Sequence, residues 1–368
     1  MISEDIVLQH IEKNAQKMID GISRIISIRS ERGIPEKEAP YGQGPKQALV
    51  ETLRLADSMG FETEMIENQI GIVKYGQGDE YIGIVGHLDV VEAKDGWTSD
   101  PYTLTERNGR LYARGILDNK GPILANLYAL KAIKDLGIEL KHPIWIVFGT
   151  NEETGMEDIP VFLKHKKPPI AGWTPDNKFP VVYAERGRAV FRIVFSDREH
   201  ERDWLNRYLL ANIPKEKALG LDVKDTEFGT LDIRNTVLDE EGIAFAVSYP
   251  PCIDTNQIKD CLKKTLKDNE QLILCSDWKP VFFDKDSTLC KILRSAYEDI
   301  TGLDGTPTTT TGGTYAKRVP NILPFGPSFP GQKGIGHLPD EWMDIQDLIM
   351  NTKIYGLSMI RLGMEDSL

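Results

Sequence analysis

Tyr81-Ile82-Gly83-Ile84-Val85-Gly86-His87-Leu88-Asp89 is the stretch whose reading decides the fold. A short apolar run of strand length ends on glycine and then on two polar side chains suited to metal or proton chemistry. Pro143-Ile144-Trp145-Ile146-Val147-Phe148 repeats the arrangement and ends in Gly149-Thr150-Asn151-Glu152-Glu153. A continuous apolar run of this length fits a strand buried on both faces. Between the two runs, Asp118 stands just before a helical pattern in which Ile123, Leu127 and Leu130 share a face and Gly137 is the stop. Alternating strand and helix predict an α/β fold with a largely parallel sheet. In such sheets ligands bind beyond the carboxyl ends of the strands, which is where His87, Asp89, Glu152 and Glu153 fall.

Outward from this core, the N-terminus reads as helix, with Ile11, Met18, Ile22 and Ile25 at helical spacing and Ser3 as a cap before Glu4 and Asp5. A loop with three prolines leads to a second helix on Leu49, Leu53 and Ala56, stopped at Gly60. Asn108-Gly109 marks a hairpin turn. From about Arg188 the texture changes to β-α-β-β-α-β within about a hundred residues, the order of a small ferredoxin-like α+β unit. After Pro280 the α/β texture resumes, with Leu289, Ile292, Ala296 and Ile300 on one helix and a closing helix from Asp344. The expected organisation is a discontinuous catalytic domain, residues 1–187 and 281–368, interrupted by an inserted domain at 188–280.

Composition narrows the function. Over 368 residues, 44 Lys and Arg against 56 Asp and Glu give a net charge of −12. That balance argues against a nucleic-acid groove, which needs a basic face. No apolar run approaches the length of a membrane span, and the first twenty residues contain no signal-peptide core. The four cysteines, Cys252, Cys261, Cys275 and Cys290, form no C-x-x-C and read as reduced thiols. The expectation is a soluble cytoplasmic protein with neither nucleic-acid nor membrane partners.

Taken singly, the polar residues are ordinary. His87 alone is more often a hydrogen-bonded structural histidine, Asp118 a helix cap, Asp176 in Thr174-Pro-Asp-Asn a turn residue, and His337 in Gly334-Ile-Gly-His-Leu-Pro a turn histidine. Glu152 and Glu153 alone could be a solvated loop, although adjacent acids after a buried strand repel and a cation would relieve them. Together, two imidazoles and several carboxylates without thiolates suit Zn²⁺, or Mn²⁺ or Co²⁺.

The motifs in order are more telling than any one residue. Gly86-His87-Leu88-Asp89-Val90-Val91, Gly96-Trp97 with Asp100-Pro101, and Tyr112-Ala-Arg-Gly115-Ile-Leu-Asp118-Asn-Lys-Gly121-Pro122 resemble the di-metal exopeptidase and deacylase family. That family includes bacterial dipeptidases, peptidase T, acetylornithine deacetylase and succinyl-diaminopimelate desuccinylase. The resemblance continues through Gly149–Glu153, Pro175-Asp176-Asn-Lys-Phe-Pro180, Ala184-Glu185-Arg-Gly187, Gly312-Gly313-Thr314-Tyr315-Ala316 and Gly336-His337, and the dipeptidase branch resembling PepV is the nearest. It implies a zinc-exopeptidase-like catalytic domain with a lid, and a metal-dependent hydrolase of small dipeptides or, alternatively, of N-acyl amino acids. It implies two divalent metal ions, one held by His87, Asp118 and Asp176 and the other by Asp118, Glu153 and His337. Asp89 would orient His87 and Glu152 would be the general base. Arg234, in Leu231-Asp-Ile-Arg-Asn, matches a lid arginine that binds the substrate carboxylate, with a surface ion pair as the ordinary reading. Gly312, Gly313 and Thr314 would present N–H groups and a hydroxyl to a carboxylate at a helix N-terminus.

The inserted domain departs from the pattern. Many members carry a lid histidine in a His-x-Ser/Gly-x-Pro context, whereas residues 188–280 hold only His200, in Asp-Arg-Glu-His-Glu-Arg, which reads as a solvated helix start. The lid is about half the size of that in the PepV branch and looks more like that of dimeric relatives, so a homodimer through the lid is the corresponding expectation.

Overall fold

A computed structural model describes residues 4–332 and 335–368; the expected Ser3 cap and Gly334 of the His337 turn lie outside the described residues. The chain divides into two compact units, one of residues 1–182, 284–307 and 314–368, the other of residues 183–283 and 308–313.

The first unit is built on six strands: β1 (Glu62–Ile66), β2 (Ile70–Tyr75), β3 (Ile82–His87), β4 (Ile144–Gly149), β5 (Ala171–Thr174) and β6 (Ile322–Pro324), in the order β1-β2-β4-β3-β5-β6. The centre is parallel, β4 and β5 flanking β3, with β6 parallel to β5; β1 and β2 add an antiparallel edge. Every residue of β3 and β4 is buried, as their unbroken apolar runs require.

Helices α1 (Glu4–Lys13) and α2 (Ala15–Ile26) replace the single helix expected at the N-terminus. The break falls at Asn14, whose side-chain amide and backbone N–H share the His10 carbonyl, at 2.8 and 3.2 Å. Helix α3 (Gln43–Ser58) packs on β1 and β2, and α4 (Lys120–Asp135) packs on β3, β4, α1 and α2. Helix α5 (Asp158–His165) follows β4; α6 (Thr288–Thr301) and the closing α7 (Ile345–Met364) complete the unit, with α7 against α4 and α6. Leu124, Leu127 and Leu130 of α4 are wholly buried, and burial of each such side chain contributes roughly 1.5–3 kcal/mol. Asn108 and Gly109 have φ of 54° and 77°, the left-handed pair a tight hairpin turn demands.

The second unit carries a four-stranded antiparallel sheet in the spatial order Asp232–Asp239, Gly242–Tyr249, Gly187–Val194, Gln271–Trp278. Helices Arg198–Trp204 and Thr255–Lys263 link its strands in the β-α-β-β-α-β order, the ferredoxin-like arrangement. Asp254 and Gln257 form a reciprocal capping box at the second helix. Alternate residues of Gly187–Val194 are buried, and Phe191, Phe245 and Trp204 form the centre of this unit's own core. The unit begins at Tyr183 rather than Arg188 and includes Thr308–Gly313, because Val182–Glu185 pairs with Val281–Phe282 and with Thr308–Thr310 in a small sheet. Pairings between segments so far apart in the chain leave no local signal in the sequence.

Candidate metal centre

His87 closes β3 and lies opposite Gly149, the last residue of β4, so the loops leaving both strands start side by side. The turn after β3 supplies Asp89, the loop after β4 supplies Glu152 and Glu153, and the turn after β5 supplies Asp176. Asp118 immediately precedes Asn119, the N-cap position of α4. It does not cap the helix; its carboxylate faces histidines instead. His87 Nε2 lies 3.1 Å from Asp118 Oδ1 and 3.7 Å from Asp176 Oδ2. His337 Nε2 lies 3.0 Å from Asp118 Oδ2 and 3.0 Å from Glu153 Oε1. Asp118 therefore offers one oxygen to each histidine.

The His87 ring is fixed from its other side. Nδ1 donates to the Asp89 carbonyl at 2.9 Å, which turns Nε2 toward Asp118 and Asp176. The Asp89 carboxylate accepts the backbone N–H of Glu152 on one oxygen and of Glu153 on the other, each at 3.1 Å. One aspartate thus orients the histidine and pins both glutamates.

The electrostatics follow from crowding. Burial, then the Asp176 charge, pushes the Glu152 carboxyl well above the usual range against the pull of His87. Burial and the Asp118 charge raise Glu153 against its hydrogen bond from His337. Burial would raise Asp118 too, but hydrogen bonds from His337 and His87 hold it below the usual range. Burial would lower His87, yet its bonds to Asp118 and Asp89 carry it well above an ordinary imidazole. Hydrogen bonds to Asp118 and Glu153 raise His337 to about 10.

The donor set fits divalent cations. His87, Asp118 and Glu153 offer donor atoms all within 4.8 Å of one another, and so do His87, Glu152 and Asp176. All are imidazole nitrogens or carboxylate oxygens, the ligands of Zn²⁺ or Mn²⁺. Negative charge exceeds positive, an imbalance that cations offset. Glu152, expected to stand apart from the donors, is in the second cluster with His87 and Asp176.

Arg234 lies in the second unit, 44% exposed and paired with Asp232. Gly312 and Gly313 are exposed and also belong to that unit. The helix start expected there is a single 3₁₀ turn, Tyr315–Lys317, whose Ala316 N–H donates to the Thr314 hydroxyl at 3.2 Å. His200 pairs with Glu270 and meets the Phe195 ring edge-on.

Three further residues organise the centre. The Asn119 amide accepts the His87 N–H at 3.3 Å and donates to the Pro175 carbonyl at 2.6 Å, tying the ends of β3 and β5 together. A Cβ on Gly86 would meet that amide oxygen at 2.5 Å, so the close approach needs glycine. Asp158 accepts the N–H groups of Thr150 and Asn151 at 2.7 and 3.0 Å and the Tyr315 hydroxyl at 2.6 Å, fixing the loop before Glu152. Asn119 and Tyr315 sit inside motifs legible in the sequence, whereas Asp158 has no signal there.

Residues 83–360 match the model of Peptidase family M20/M25/M40. The chain belongs to that family. It is a hydrolase of peptide or related linear amide bonds. "Putative dipeptidase YtjP" of Bacillus subtilis is 26% identical across 88% of the chain and 92% of that protein. The aligned span, 427 positions, exceeds the chain's length, so that relative carries insertions this chain lacks. Beta-Ala-Xaa dipeptidase of Lactobacillus delbrueckii subsp. lactis is 35% identical, over 53% of the chain and only 42% of its own length. Among solved structures, the dipeptidase Dug1p from Saccharomyces cerevisiae shares the M20 fold, with a TM-score of 0.74 and 16% identity over 99% of both chains. Among the described residues, no helix is long and apolar enough to cross a membrane, and all four cysteines are free.

Proposed function

We propose that this M20 chain is a di-metal dipeptidase. The observation that carries the reading is the Asp118 carboxylate, with one oxygen 3.1 Å from His87 and the other 3.0 Å from His337. A carboxylate in that position can bridge two cations. His87, Asp118 and Asp176 would hold one, and Asp118, Glu153 and His337 the other, with Zn²⁺ the first choice and Mn²⁺ or Co²⁺ the alternatives. Bound cations would supply Lewis-acid charge for the scissile carbonyl and acidify the attacking water.

The chain's own residues do the rest. Glu152 takes the proton from the attacking water and delivers it to the leaving amine. Asp89 holds the Glu152 backbone, so the base is placed by the same residue that orients His87. A cavity of about 290 Å³ opens beside Asp118, Asp176 and His337, with walls from Leu117, Pro327 and Ile335. That volume is at the small end for ligand pockets and suits a substrate of one or two residues.

The test is turnover by the metal-loaded protein of a dipeptide panel, N-acetylornithine and N-succinyl-diaminopimelate. Cleavage of dipeptides supports the reading. Turnover of the acylated compounds alone would make the chain a deacylase, and no turnover of any amide would make it a metal-binding scaffold.

A further inference from the structure

Glu341 lies four residues beyond His337, in a sequence with no chemical motif of its own, and its side chain is wholly buried. Four donors converge on it. Arg114, 1% exposed, donates Nη1 to Oε2 at 2.7 Å, and the Leu117 and Asp118 N–H groups donate to Oε1 at 2.8 and 3.0 Å. The Gly115 N–H is shared between both oxygens at 3.1 Å. The turn they cradle needs Gly115, whose φ is 87° and whose Cβ would come within 3.0 Å of Val90. Trp97 covers the Arg114 guanidinium, 5.1 Å from the ring centre.

One carboxylate therefore joins the segment that ends in Asp118 to the segment that follows His337. Three of its four donors are backbone N–H groups, so they set where the Asp118 main chain sits rather than which rotamer its side chain adopts. The opposite side of the centre is held by other means: Asn119 ties His87 to Pro175, and β3 and β5 are paired in the sheet.

We propose that Glu341 is a positioning residue that sets affinity at the cation position formed by Asp118, Glu153 and His337. The inference rests on the two-cation reading above. Ligand-supporting groups of this kind change metal affinity by roughly 10- to 100-fold when removed. In Glu341→Gln the volume is kept, but an NH₂ group must face either the Arg114 guanidinium and Gly115 N–H or the Leu117 and Asp118 N–H groups, a donor against donors in both orientations. The turn then shifts, and two of the three donors at this position, Asp118 and His337, stand on the segments Glu341 joins, against one of three at the other position.

The experiment titrates stripped full-length protein with Zn²⁺ against a chromophoric chelator, with the thermal midpoint measured alongside. Wild type should bind in two steps. In Glu341→Gln one step should loosen by about 10- to 100-fold while the other changes by less than about threefold. Unchanged steps overturn the proposal, and so does equal loosening of both in parallel with a lowered midpoint, which a merely structural residue would give. Fewer than two steps in wild type removes the two-cation reading and the proposal with it, before the variant is considered. Hydrogen exchange in wild type covers a variant that fails to fold. The amides of Gly115, Leu117 and Asp118 should be equally protected with and without Zn²⁺, because Glu341 holds them before the ion arrives. Protection that appears only on Zn²⁺ addition overturns the proposal.

Discussion

Replacing Asp158 by asparagine should flatten part of the dependence of stability on pH while leaving the centre organised. Asp158 is wholly buried, one oxygen accepts three hydrogen bonds, and the other has no partner among the described residues. Burial raises its carboxyl from 3.8 to about 6, with the Tyr315 bond pulling down and the Asp89 charge pushing up. A folded-state value above the unfolded one means that the folded chain holds this proton more tightly. The resulting stabilisation is present below about pH 4 and is lost as pH rises through about 6. The gap corresponds to about 3 kcal/mol in all, of which roughly 1–1.5 kcal/mol falls between pH 5 and pH 7.5. Asparagine keeps an oxygen for the three donors and carries no charge to bury. Urea unfolding of metal-loaded wild type and Asp158→Asn at pH 5, 6 and 7.5 reads the difference directly. The variant should gain on wild type by that amount across the range and retain most of its turnover. Asp158→Ala should instead lose about 3 kcal/mol or more, because three buried donors are left without an acceptor. A difference between wild type and Asp158→Asn that does not vary with pH would refute the reasoning.

Glu152→Ala should keep its metal content and lose about 10²–10⁴-fold in kcat, and near-normal turnover would remove the base assignment. Gly149→Ala should lower stability by about 1–3 kcal/mol in a denaturant titration, because its Cβ would stand 2.0 Å from the Tyr315 hydroxyl and 2.6 Å from the Asp158 carboxylate. If Arg234 binds the substrate carboxylate, Arg234→Ala should raise KM for dipeptides by about tenfold or more with little change in stability; an unchanged KM would leave only its pairing with Asp232.

The sequence is most legible where the physics is local. The unbroken apolar runs ending at His87 and Gly149 read correctly as buried parallel strands, since nothing but burial on both faces selects such runs. The positions of His87, Asp89, Glu152 and Glu153 after strand ends followed from that, whereas Asp176 read only as a turn residue and the strand before it left no clear signal. The contacts that hold these residues were not legible, because each reaches across the chain. Asp158 and Tyr315 are 157 positions apart, Arg114 and Glu341 are 227 apart, and an isolated buried Asp or Glu looks in sequence like any surface acid. The helix break at Asn14 is hidden for the opposite reason: the apolar spacing continues through it while one side chain shares a ladder carbonyl.

The central claim is that Asp118 bridges two cations, and metal content per chain tests it most directly. Wild type equilibrated with Zn²⁺ and freed of excess should retain two equivalents, and Asp118→Ala should retain fewer. One equivalent or none in wild type would contradict the account.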